Sequence, residues 1–118
     1  MPAHIAVVHD DPEFLDRMEA ALSGAGDDVR TYGTALAAIN ALDERHPIDV
    51  LITRIRFPPG ESNGLSLALI ARRHDPNVKI LFIAAPEFEQ DVADLGTFLQ
   101  TPVDIPDILD AVDRLLSS

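Results

Sequence analysis

There is no cysteine in this chain of 118 residues. Disulfides, thiolate metal sites and thiol nucleophiles are therefore excluded. Positive charge is scarce as well. Nine Lys and Arg stand against 20 Asp and Glu, a formal net charge of −11 with a pI near 4.4. A phosphate backbone or an anionic bilayer would be repelled by that balance, so neither nucleic acid nor a membrane is expected as a partner. No apolar run approaches the roughly 20 residues of a membrane span. The first residues, Met1-Pro2-Ala3-His4-Ile5, lack the basic segment and long apolar core of a signal peptide. A cytoplasmic location is the resulting expectation. His4, His46 and His74 fall at separate element ends and form no metal set.

Apolar residues make up 47% of the chain, enough for one folded domain with one core. The stretch that organises it is Asp49-Val50-Leu51-Ile52-Thr53-Arg54, followed by Ile55-Arg56-Phe57-Pro58. Its apolar run reads as a strand buried on both faces, as in the centre of a parallel sheet. Chemistry in such sheets sits beyond the carboxyl ends of the strands. The residue at that end is Arg54.

Along the chain, Ile5-Ala6-Val7-Val8 predicts a first strand that stops at His9-Asp10-Asp11-Pro12. Asp11 suits an N-cap and Pro12 the first helical position, and a helix to about Ser23 follows with Phe14, Leu15, Met18 and Leu22 on one face. Gly24 and Gly26 are expected to stop it. Asp28 to Tyr32 predicts an edge strand. Thr34 caps an alanine-rich second helix carrying Leu36, Ile39 and Leu42. The loop from Phe57 to Gly64 is too rich in Pro, Gly, Asn and Ser for regular structure. A third helix runs from about Leu65 to Arg73, with Leu65, Ala68, Leu69 and Ile70 inward. Val78 to Ile83 is a central strand, Glu87 to Leu95 a short acidic helix, and Thr97-Phe98-Leu99 a fifth strand. Asp104 or Pro106 opens a last helix striped by Ile105, Ile108, Leu109, Val112, Leu115 and Leu116. This alternation predicts an α/β fold, a doubly wound five-stranded parallel sheet of order 2-1-3-4-5. Helices 1 and 5 are expected on one face and helices 2, 3 and 4 on the other.

The whole chain resembles the receiver domain of two-component response regulators, the CheY-like family. The resemblance rests on Val7-Val8-His9-Asp10-Asp11-Pro12, on Asp49-Val50-Leu51-Ile52 leading to Phe57-Pro58, on Gly64-Leu65, and on Phe98-Leu99-Gln100-Thr101-Pro102-Val103-Asp104. His9 and Arg54 are 45 residues apart and Arg54 and Ala84 are 30 apart, as the family has them. It implies a flavodoxin-like fold, a cis Thr101–Pro102 bond and a function in bacterial phosphorelay signalling. It also implies a set of five groups: two acids after strand 1, a phosphoacceptor aspartate after strand 3, a hydroxyl after strand 4 and a lysine after strand 5. The acids hold Mg²⁺, which wants oxygen ligands. Here the five positions carry His9, Asp10, Arg54, Ala84 and Thr101, with Asp11 behind Asp10. Only Asp10 matches. Ala84 to Thr101 spans 17 residues, several fewer than the family has, so helix 4 is expected to be short. The loop after Pro58 is about two residues longer than the family's.

An arginine cannot form a stable acyl phosphate, and its cation stands where Mg²⁺ would bind. The reading is a stand-alone, atypical receiver without an output domain, with no cofactor, metal or catalytic residue. It acts through an unidentified signalling protein partner, and a homodimer stays open. The alternative is an active Mg²⁺-dependent phosphoacceptor using Asp10 or Asp11. Arg54 is read as a structural ion pair with Asp10 and Asp11, or as holding an activated-like state, or as a partner contact. Asp11 reads as a helix cap before a metal ligand, His9 as a polar rim residue before a phosphorelay histidine. Phe98 falls on the family's aromatic switch position, where a core role is the plainer reading. No nucleotide-binding or hydrolase motif is present.

Overall fold

The apolar runs of the sequence become the interior strands. The computed structural model describes residues 2–42, 47–57 and 63–117. Strands β1 (His4–Val8), β2 (Asp28–Tyr32), β3 (Val50–Thr53), β4 (Lys79–Ala84) and β5 (Thr97–Gln100) form one sheet of order β2-β1-β3-β4-β5. Every neighbouring pair is parallel. The helices between them are α1 (Pro12–Gly24), α2 (Ala35–Leu42), α3 (Gly64–His74), α4 (Glu89–Val92) and α5 (Ile105–Ser117). This is the doubly wound α/β architecture that the alternation predicts.

All four residues of β3 are buried, as are all but the first of β1 and β4. Successive side chains of a strand point to opposite faces, and the register keeps like with like. Ile5 pairs with Val50 and Val7 with Ile52, and these pack with Leu81, Ile83, Met18, Leu22, Ile108 and Val112. Ala6 pairs with Leu51 and Val8 with Thr53; Ala6, Val8 and Leu51 pack on the other face with Phe82, Leu42, Leu67, Ala68 and Val92. Helices α1 and α5 thus cover one face, and α2, α3 and α4 the other. Fully burying each large apolar side chain contributes about 1.5–3 kcal/mol, so the two layers dominate stability.

The local signals for α1 act as expected. Asp11 is its N-cap, the Asp11 carboxylate accepting the Glu13 N–H at 3.0 Å, with Pro12 in the first turn. For α2, Thr34 Oγ1 accepts the Ala37 N–H at 3.0 Å. For α3, the Asn63 side chain accepts the Ser66 N–H at 2.8 Å. Three helices depart from the sequence reading at one leucine each. Leu36 of α2 is 59% exposed, while Leu42 faces the core as read, joined by Ala35 and Ala38. Leu69 of α3 is 51% exposed, while Leu67, Ala68 and Ala71 are buried. Leu116 of α5 is exposed, and Ala111 joins Ile108 and Val112 inside. Leu42, Ala68, Ile108 and Val112 are buried as read and Ile39, Leu65 and Ile70 pack on the core partly buried, with Ala35, Ala38, Ala71 and Ala111 seated beside them. A helix laid closely on a sheet seats small residues along its contact line, and hydropathy ranks leucine above them.

The β4–β5 connection is the tightest. A 3-10 turn over Pro86–Phe88 leads into the single turn of α4, so the expected helix from Glu87 to Leu95 is cut at both ends. Gly96 lies just past the C-terminal cut. A Cβ there would lie 2.4 Å from the Ile80 carbonyl oxygen, so the backbone passes directly against β4. Arg72 of α3 fixes this path: its Nε donates to the Val78 carbonyl at 3.1 Å and its Nη2 to the Leu95 carbonyl at 2.7 Å. The Thr101–Pro102 bond beyond β5 is cis. Among the described residues, no helix is long and apolar enough to cross a membrane. His46 and most of the loop after Phe57, Pro58 to Ser62, lie outside the described residues.

Candidate functional site at the carboxyl edge of the sheet

Parallel strands deliver their carboxyl ends to one edge, and every expected site residue except Phe98 arrives there. His9, Asp10 and Asp11 turn from β1 into α1, Arg54 follows β3, Ala84 closes β4 and Thr101 follows β5. Phe98 lies on β5 in register with Phe82 and packs, half-buried, on the α2–α3 core.

The backbone at Arg54 is locked from both sides. The Thr53 side chain is buried and its hydroxyl donates to the Arg54 carbonyl at 2.8 Å. Gly64, the first residue of α3, approaches so closely that a Cβ would lie 1.9 Å from that same carbonyl oxygen. Its N–H donates to the Ile55 carbonyl at 2.8 Å. Only glycine permits this contact, which gives a physical reason for Gly64 in the sequence. Ile55 is buried, so Arg54 and Arg56 emerge on either side of an apolar anchor.

The Arg54 guanidinium donates through Nη1 to Asp10 Oδ1. Both side chains are about one-third exposed, 36% and 33%. Burial alone would raise the Asp10 carboxyl. The hydrogen bond from Arg54, a backbone hydrogen bond and the nearby positive charge outweigh it, and Asp10 titrates below the ordinary carboxylate range. Asp11 does not join this pair; its carboxylate serves the α1 cap. The expectation that Arg54 neutralises both acids is corrected to Asp10 alone.

His9 is also less of a rim residue than expected. Its side chain is only 19% exposed, and its ring lies against Phe14 with centroids 4.4 Å apart. Its Nδ1 accepts the Asp11 N–H at 3.0 Å, so a neutral ring must carry its proton on Nε2. Burial lowers its pKa first and the Arg54 charge lowers it further, against the opposing pull of Asp10 and Asp11.

These groups border a cleft of about 330 Å³, lined by His9, Arg54, Arg56, Ala84, Phe88 and Thr101 among others. The Thr101 N–H is tied to the Ala84 carbonyl at 2.9 Å. Arg56 and Phe88 were not picked out from the sequence. The Arg56 guanidinium lies 5.4 Å from the centre of the Phe88 ring, a cation–π contact. The alternation Arg54-Ile55-Arg56 was the available signal, since an apolar residue between two arginines puts both on the open side.

Mg²⁺ demands near-octahedral oxygen coordination, and these residues do not fit it. Of the two carboxylates, one is bound to a guanidinium and the other caps a helix. A fixed cation stands at the end of β3. No group of three or more metal-ligating side chains occurs among the described residues.

No family model matches the sequence. The chain is 32% identical over 115 residues to the DNA-binding transcriptional regulator NtrC of Klebsiella pneumoniae, covering 94% of this chain but only 24% of that protein. It is 28% identical over 117 residues to the response regulator receiver protein CpdR of Brucella abortus (strain 2308), covering 95% of each. Among solved structures, a response regulator receiver protein from Sinorhizobium medicae WSM419 superposes with a TM-score of 0.88 at 28% identity, over 99% of this chain and 96% of that one. With the sheet order, the site at its carboxyl edge and sequence likeness in agreement, the chain has the CheY-like fold and is similar along nearly its whole length to response regulator receiver proteins.

Proposed function

We propose that this chain is a receiver domain that works in bacterial two-component signalling as an atypical member, through protein–protein contact and without phosphoryl transfer. The observation that carries this reading is the Arg54–Asp10 ion pair at the carboxyl edge of the sheet. In the family this is the place of the phosphoacceptor and its metal. An arginine has no oxygen to accept a phosphoryl group, and its charge opposes a divalent cation beside it. The hydroxyl and lysine positions carry Ala84 and Thr101, so the groups that would read a phosphoryl oxygen are replaced too. The site is a fixed polar junction that holds the β1–α1 and β3–α3 turns in one arrangement, and a signalling protein partner reads that arrangement.

The test is incubation with Mg²⁺ and either acetyl phosphate or beryllofluoride. Intact mass and amide NMR spectra are expected to stay unchanged. A mass increase of one phosphoryl group, or beryllofluoride-dependent shifts around β4 and β5, would refute the reading. It would favour phosphorylation at Asp10 or Asp11, and substitution of each by Asn would tell which.

A further inference from the structure

We propose that the cleft between β3, β4 and β5 is a non-covalent oxyanion site, in which Arg54 and Arg56 grip a phosphate or carboxylate group. This rests on the reading of the site as one that is not phosphorylated. The chain carries nine cationic residues against 20 acidic ones, yet two arginines two residues apart face the same cleft. Arg54 uses Nη1 for Asp10, and its Nε and Nη2 make no hydrogen bond to another described residue. Arg56 forms no ion pair with a described residue and is steadied against Phe88. Thr101 lines the same cleft.

The local charge supports an anion. Asp10 offsets one guanidinium, Asp11 is turned to its cap and Asp91 lines the adjoining groove beyond Arg56. His9 faces the cleft with its pKa lowered, so it adds no fixed charge at neutral pH. Two guanidinium forks against one carboxylate leave an excess of donors on the cleft, and guanidinium binds phosphate or carboxylate through parallel N–H···O bonds. The cleft, about 330 Å³, is larger than an oxyanion alone needs. It admits the group together with part of the body that carries it. That group is either a free phosphate or the carboxylate of an acidic side chain on a partner.

The experiment is a titration of the full chain without Mg²⁺ or phosphodonor, at ionic strength held constant with chloride. Orthophosphate is added in one arm and acetate in the other, and the Nε–H signals of Arg54 and Arg56 are followed by NMR. Saturable shifts at both arginines are expected, with affinity reduced about tenfold or more in Arg56→Ala. It should be unchanged in Arg30→Ala, on the distant β2 edge. Tighter binding of orthophosphate assigns the site to phosphate, and tighter binding of acetate to an acidic side chain. Shifts that rise linearly, that chloride reproduces, or that survive Arg56→Ala would overturn the proposal. Because no phosphodonor is present, that failure leaves the reading of an unphosphorylated receiver intact.

Discussion

Replacing Gly64 by alanine tests how the site is held, with a magnitude set by the geometry. A Cβ at this position would lie 1.9 Å from the Arg54 carbonyl oxygen, 2.9 Å from its carbon and 3.0 Å from the Ile55 Cα. Ordinary contact begins near 3.4 Å, so the backbone must open by about 1.5 Å. Nothing flexible can yield, because all three atoms are main chain. The displaced carbonyl is the acceptor for Thr53 Oγ1, and the Gly64 N–H bond to Ile55 is in the same contact. Overpacking of this kind typically costs about 1–3 kcal/mol, and loss of a part-buried hydrogen bond adds roughly 1 kcal/mol. We expect Gly64→Ala to lose about 3 kcal/mol in urea unfolding, on the order of 12 °C in Tm. The Arg54 Nε–H signal should move as its backbone shifts away from Asp10. Gly24→Ala is the control, since a Cβ there meets nothing within 4 Å. A Gly64→Ala protein within about 0.5 kcal/mol of the parent, the range of ordinary surface substitutions, would refute the claim that this approach positions Arg54.

Arg54→Asp crowds three carboxylates together, so stability without metal should fall while millimolar Mg²⁺ raises Tm; a variant that gains no Mg²⁺ binding would place Arg54 elsewhere in the family pattern. The lowered pKa values of His9 and Asp10 mean that the unfolded chain takes up their protons more readily. The His9 contribution is full above its unfolded value of 6.5 and is lost as pH falls through the folded one; Asp10 behaves likewise below 3.8. In Arg54→Gln both pKa values should rise, read from the His9 ring and Asp10 side-chain NMR signals; unchanged titration curves would show that Arg54 does not act on them. Arg72→Met removes two charge-assisted bonds to the Val78 and Leu95 carbonyls. A loss of about 2–3 kcal/mol is expected, with faster hydrogen exchange over Thr97–Gln100. Exchange that stays slow there would mean the short connection holds without it.

What could be read in the sequence follows from how sharply each feature is written. The β3 run and the Asp11-Pro12 start of α1 are dictated by short-range chemistry, and both appear where expected. The sheet order follows from alternation and crossover handedness. In α2 and α3 only Leu36 and Leu69 were misplaced, because alanine gives little hydropathy contrast and packing distance decided between Ala38 and Leu36. The end of α4 was not legible, since it depends on contacts with Ile80 and Arg72 that lie far away in sequence. In the site, Arg54 could be placed by spacing and its partner narrowed to Asp10 and Asp11, but not to one of them. Asp10 and Asp11 are adjacent, and only the folded turn gives one to the arginine and the other to the helix. Arg56 was passed over because its role depends on Phe88, which is 32 residues away.

Among the described residues, the two apolar layers share no buried side chain, because the sheet stands between them as a wall. Energies of groups without common partners add, whereas those in contact couple. The domain therefore behaves as two compartments with separate tolerances. A change in the α1–α5 compartment, such as at Met18 or Ile108, is absorbed by its own neighbours, while Leu67 or Val92 answers to another set. Either surface can be remodelled for a new partner while the opposite one stays in repair, and only the backbone of the wall is common property.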